Sequence, residues 1–164
     1  MSDYKFLTRW ELQAPIETVW DAVSDPRTYT KWFPYISRVA QVAPGDPDGA
    51  GRAYRFTIRG KLPYSLSFTV ENVRQDPPRL LESRSTGQLE GTGRWELSQE
   101  GDITTALYYW HVRTTRRWMN LTAPLLRPLF AWNHHKIMDK AGTRLAAYLG
   151  APLLANTSRE EYRA

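Results

Sequence analysis

The sequence contains no cysteine, which rules out disulfides, thiolate metal sites and a cysteine nucleophile. No apolar run approaches the roughly 20 residues needed to cross a bilayer as a helix. The opening residues, MSDYKFLTRW, lack the apolar centre of a secretion signal. There is no internal repeat and no low-complexity tract. The phosphate-binding loop, the glycine-rich dinucleotide turn, the HExxH metal pair and the nucleophile elbow are all missing. Only three histidines are present, and none has a serine or carboxylate in a triad arrangement. These absences point to a cytoplasmic protein with no cofactor and no metal site.

Other features are plentiful. The 164 residues carry 22 Lys and Arg against 17 Asp and Glu, a formal charge of +5. The basic residues are spread over many segments, with one dense cluster, RTTRRW, at 113–118. That spread suits a mildly basic protein better than a specific nucleic-acid binder. The aromatic content is the sharper signal. Seven Trp, nine Tyr and five Phe exceed what a minimal core of this size needs, and large aromatics also line apolar ligand pockets.

Alternation marks the strands. Phe6, Thr8, Trp10 and Leu12 share one face of a first strand. The stretch APIETVWDAVSDPRTYTKWFP then holds two short helix starts, with Pro15 and Pro26 suited to first helical positions and Asp25 to an N-cap. Pro34 stops the second helix. Short helices need tertiary support. A Pro/Gly/Asp loop near 44–51 follows a short strand. Tyr54, Phe56 and Ile58, then Tyr64, Leu66, Phe68 and Val70, form a hairpin turned by GKLP. Further strands run through RLLESRST, Trp95 and Leu97, and Ala106, Tyr108, Trp110 and Val112. Leu107, Tyr109, His111 and Arg113 take the opposite face of the last. A helix over about 119–149 carries a stripe of Met119, Ala123, Leu126, Phe130, Ile137, Ala141 and Tyr148. Gly150 closes it, and residues 151–164 form a loose tail. The expectation is one α+β domain over 1–150, with a curved antiparallel sheet of about seven strands gripping the long helix. Whether the space between them is filled or open stays undecided.

The order strand, two short helices, six strands, long helix resembles the helix-grip fold of the START-like SRPBCC superfamily, and within it the polyketide cyclase/dehydrase-like proteins. The likeness rests on 14–34, on GQLEGTGRWEL at 87–97 and on LLRPLFAWNHHKIMDKAG at 125–142. It implies a deep apolar cavity, with the short helices supporting the base of the long one, Trp20 within that support and Trp32 nearer the cavity. It does not fix a function, because one fold hosts many.

The residues expected to face such a cavity are Phe56, Phe68, Trp95, Tyr108 and Trp110 from the sheet, with Phe130 and Met138 from the helix. Each has a plain core-packing reading beside it. Asn133 and His134 interrupt the helical stripe. With Leu126 at zero, Asn133 falls within about 20° of it, and His134 lies about 80° away on the flank near Phe130. A buried amide or imidazole needs a partner. A ligand, a strand carbonyl or a buried water could each provide one. His134 is also a candidate for catalysis. His135 points about 100° away from His134 toward solvent, so the pair is not a metal site. Tyr54, Tyr64 and Tyr108 could orient a polar ligand group through their hydroxyls. GTGRW is the opening of a strand. The basic cluster beside Pro124 and Pro128 is either a solvated loop or a portal for an anionic lipid-like ligand.

Three functions follow. The first is binding of a hydrophobic or amphipathic small molecule: a lipid, quinone, isoprenoid or polyketide. The second is polyketide cyclase, aromatase or dehydratase activity in the same cavity, with His134 or a Tyr shuttling the proton. The third is an interaction module of a larger assembly, such as the ribosome or the respiratory quinone system. The expected partners are a hydrophobic ligand and, transiently, a membrane surface, with no specific nucleic acid.

Overall fold

The computed structural model describes residues 3–59 and 65–161. The GKLP turn and Tyr64 lie outside the described residues. Eight strands form one antiparallel sheet in the order β2-β3-β4-β5-β6-β7-β1-β8. They are β1 (Asp3–Leu12), β2 (Ile36–Pro44), β3 (Arg52–Arg59), β4 (Ser65–Asp76), β5 (Leu80–Gly87), β6 (Leu89–Glu100), β7 (Ile103–Thr114) and β8 (Leu153–Glu160). Between β1 and β2 come α1 (Ile16–Ser24), a 3-10 turn (Pro26–Thr28) and α2 (Tyr29–Trp32). The long helix α3 (Arg117–Leu149) follows β7. This is the helix-grip arrangement.

The alternation read from the sequence sets the faces. In β1, Tyr4, Phe6, Thr8, Trp10 and Leu12 are buried. The β3–β4 hairpin pairs Phe56 with Phe68 and Tyr54 with Val70. Asp25 caps the 3-10 turn, its carboxylate accepting the Arg27 N–H at 3.1 Å. Pro15 lies one residue before α1, and its carbonyl accepts from Thr18 and Val19. GTGRW lies well inside β6. A Cβ at Gly91 would sit 1.9 Å from the His111 carbonyl oxygen, so β6 can approach β7 there only without a side chain.

The described part of the tail, 151–161, is not loose, and residues 162–164 lie outside the described residues. Residues 153–160 form β8, which pairs with β1 from Phe6↔Glu160 to Leu12↔Leu153. The strand lacks an apolar alternation because it is an edge strand, half-buried along most of its length. Its stability comes from the β1 ladder and from α3. The Asn156 amide donates to the Asp139 carbonyl at 2.8 Å, and Arg127 of α3 pairs with Glu160 at 2.6 Å. The sheet therefore has one strand more than expected.

The helix also lies differently from its expected stripe. Its buried residues are Met119, Ala123, Ala131, His134, Met138, Ala141, Gly142, Leu145 and Ala146. Tyr148 is exposed, while Leu126 and Ile137 are half-buried. The cause is close approach. Trp10 of β1 lies against the helix backbone, and a Cβ at Gly142 would fall 2.6 Å from its Nε1. The inward face is thus set by small residues, and a count of large apolar ones misplaces it. The basic loop is likewise shorter than expected. α3 begins at Arg117 and β7 ends at Thr114, leaving only two connecting residues, and Pro124 and Pro128 both lie inside the helix.

Candidate functional site

Parts of α3 meet the sheet in different ways. The C-terminal half closes onto a filled core. Leu12, Val19, Trp20, Trp32, Trp95, Met138, Ala141 and Leu145 form one buried cluster with Trp10. Trp32, expected nearer a cavity, is fully buried here, and its Nε1–H donates to Thr28 Oγ1 at 3.1 Å. Elsewhere α3 stands off the sheet and borders a cavity of about 680 Å³, whose lining runs along the helix from Met119 to Thr143. A second cavity of about 90 Å³ adjoins it, with Phe33, Ile58, Trp110 and Met138 common to both walls. Together they have the size of a pocket for a small organic molecule.

All nine expected ligand-facing residues lie on these walls. Trp110, Phe130, Asn133, His134 and Met138 line the larger cavity. Phe56, Phe68, Trp95 and Tyr108 line the smaller one. Tyr54 is buried beside Phe56 and Phe68, outside both walls. His111 is exposed on the opposite face of the sheet, where alternation puts it.

The sequence reading missed part of the larger wall: Tyr4 and Phe6 of β1, Leu89, Val112 and Thr114 of the sheet, and Met119 of α3. The alternation of β1 already marked Phe6 as inward. What was missing was the pairing of β1 with β7, which sets Phe6 opposite Trp110. A strand pairing across about a hundred residues of sequence leaves no local signal.

His134 is the distinctive group. Its side chain is buried, with 7% of the residue's surface exposed. The ring stacks on Phe6 at 3.8 Å between centroids, with Trp110 at 5.4 Å. Neither ring nitrogen has a hydrogen-bond partner among the described residues. Burial, and secondarily the neighbouring His135, pushes its pKa down to about 3. At neutral pH it is therefore an uncharged imidazole, with one donor and one acceptor both buried within an apolar wall. The expected positions on α3 are exchanged: His134 is the inward residue and Asn133 the half-buried flank. His135 is half-buried against the edge of Phe6 at 5.8 Å, not turned to solvent.

The phenols of Tyr29 and Tyr108 are also held neutral, because burial raises their pKa values well above the ordinary one. Tyr29 donates to the Val23 carbonyl at 2.5 Å. The larger cavity's lining also includes Tyr35, Lys136, Asp139, Lys140 and Thr143. Lys140 Nζ lies 5.5 Å from the centre of the Tyr35 ring. Tyr35 is the one described non-glycine residue with positive φ, at 65°. No group of three or more His, Asp or Glu side chains among the described residues could hold a metal.

The sequence profile of the family described as polyketide cyclase/dehydrase and lipid transport matches residues 5–150. None of the curated proteins is similar enough in sequence to match. Among solved structures, TTHA0849 from Thermus thermophilus is 18% identical, covering 88% of this chain and 98% of its own, with a TM-score of 0.70. The Zhui aromatase/cyclase from Streptomyces sp. R1128 is 16% identical over 70% of each chain, with a TM-score of 0.60. The di-domain aromatase/cyclase BexL of the BE-7585A biosynthetic pathway is 20% identical, covering 87% of this chain and 50% of its own, with a TM-score of 0.62. At these identities the likeness is one of fold.

Proposed function

Because the chain belongs to the polyketide cyclase/dehydrase and lipid transport family, we propose that its cavity binds one neutral amphipathic molecule, mainly hydrocarbon or aromatic, bearing a hydroxyl or keto oxygen that meets His134. The single observation that carries this reading is the unpartnered imidazole on the cavity wall. Leaving both of its nitrogens without a hydrogen bond costs about 1–3 kcal/mol. A ligand oxygen would remove that penalty, while Phe6, Trp110 and Phe130 supply apolar contact. A charged head group at this depth would be disfavoured, because the imidazole stays uncharged at neutral pH.

Catalysis of cyclisation or dehydration is the second reading, favoured by the same imidazole. A base held at a pKa of about 3 is a poor proton acceptor at neutral pH. That argues for a positioning hydrogen bond over proton abstraction.

The test is displacement of N-phenyl-1-naphthylamine, a neutral fluorescent probe, by alkanes, alcohols and ketones of equal chain length. Relative to His134→Phe, wild-type protein is expected to shift its preference toward the alcohol or ketone over the alkane by about tenfold, the worth of one recovered hydrogen bond. His134→Phe should favour the alkane, because its pocket leaves the ligand oxygen desolvated and without a partner. No probe uptake, or equal preferences in the two proteins, would overturn the proposal.

A further inference from the structure

The solvent-exposed face of α3 is apolar where solvent would favour polar residues. Leu121 and Leu125 are 84% and 82% exposed, Trp132 57% and Leu129 47%. Trp118 is also partly exposed. At about 100° per residue, these five positions fall within about 80° of arc, so they form one ridge along the helix. Scattered exposed leucines need no explanation, but a contiguous ridge marks a contact surface.

Charge identifies the partner. Residues 113–140 contain Arg113, Arg116, Arg117, Arg127, Lys136 and Lys140 against the single acid Asp139. That excess of five equals the whole chain's excess, 22 basic against 17 acidic, so the remaining residues carry sixteen of each sign. Arg113 and Arg127 are engaged by Glu90 and Glu160. Arg116, Arg117, Lys136 and Lys140 make no salt bridge among the described residues. They lie at the two ends of the ridge, as do Trp118 and Trp132. An apolar ridge with tryptophans and cations at its ends has the composition of a helix lying in the interface of an anionic bilayer. No described helix is long and apolar enough to cross a membrane. The ridge also reaches the cavity, since Trp132, Lys136 and Lys140 are all part of its lining.

We propose that the outer face of residues 118–140 docks on an anionic lipid bilayer and brings the cavity mouth to the membrane surface, where the apolar ligand is exchanged. The exchange step rests on the ligand reading above. The docking does not.

The test is co-flotation of the full chain with vesicles of phosphatidylcholine, with and without phosphatidylglycerol. The protein is expected to float with the anionic vesicles, less with the neutral ones, and progressively less as salt is raised. Leu121→Gln/Leu125→Gln replaces the two most exposed apolar residues with good helix formers. It should bind at least about tenfold more weakly and still take up N-phenyl-1-naphthylamine normally. Arg116→Gln/Arg117→Gln keeps the ridge and should weaken binding to anionic vesicles by about tenfold, with a shallower salt dependence. The proposal falls if wild type does not float, or if both variants float as it does. It also falls if wild type is a dimer that Leu121→Gln/Leu125→Gln splits, which would give the ridge to a second copy. Vesicle binding without probe uptake would support docking and sink the ligand reading alone.

Discussion

His134→Phe should abolish most of the protein's loss of stability between pH 7 and pH 4 while raising its stability at pH 8. The buried imidazole titrates at about 3, against 6.5 for an ordinary histidine. Between those values the unfolded chain holds a proton that the folded chain refuses, so stability falls as the pH falls through that window. At pH 5 this group alone removes about 2 kcal/mol relative to pH 8, and the loss continues down to about pH 3. Phenylalanine has no proton to gain, and it keeps the stacking position over Phe6. It also removes two buried polar atoms that lack partners, worth about 1–3 kcal/mol at any pH. Urea unfolding of both proteins across this range measures the difference. Parallel stability curves would mean that the imidazole is solvated or paired, and the polar anchor of the cavity would go with it.

Trp10→Ala should be the most damaging single truncation in the described core, costing about 3–5 kcal/mol. Trp10 is fully buried. It meets Trp32 edge-on at 6.3 Å and Trp95 at 5.5 Å, and it receives the Gly142 backbone of α3. Its ring joins the first strand, the short helices, the sheet and the long helix. A loss of that size is a large share of the roughly 5–15 kcal/mol available to a domain. Trp110→Ala should cost less, about 1–2 kcal/mol, because one side of its ring already faces open space and forfeits fewer contacts. Denaturant midpoints of the two variants test the distinction between the packed contact of α3 and the cavity wall beside it. Equal losses would mean that the cavity wall is packed like the core.

That distinction was not legible in the sequence, although most of its parts were. The alternation of Tyr54, Phe56 and Ile58 against Leu66, Phe68 and Val70 reads as a hairpin because period two is a local property. Asp25 before Pro26 reads as a helix start for the same reason. Ala141, Gly142 and Ala146 look like weak apolar positions in a stripe, yet their smallness is what lets Trp10 reach the helix backbone. Volume complementarity belongs to two distant segments at once, so Met119, Ala123 and Ala141 of the stripe are buried as expected, while Phe130, Asn133 and Ile137 each stand one residue before the buried Ala131, His134 and Met138. Asn133 was then placed inward and His134 on the flank. β8 was missed because an edge strand needs no apolar face, and LLANTSRE carries none. Phe6 was visible as an inward residue but not as a wall of the cavity, since that depends on β1 pairing with β7. The exposed Leu121 and Leu125 were visible only as apolar letters in a helix, and only the fold turns them outward.

The most direct test of the central claim is native mass spectrometry of the full chain as purified, followed by organic extraction and identification of what is released. A bound neutral molecule of lipid, isoprenoid, quinone or polyketide type, bearing at least one hydroxyl or keto oxygen, is the predicted result. It should be held at one copy per chain and be lost or replaced in His134→Phe. A chain that emerges empty and also fails to take up N-phenyl-1-naphthylamine would contradict the account, because an open apolar cavity of this size would then have no occupant.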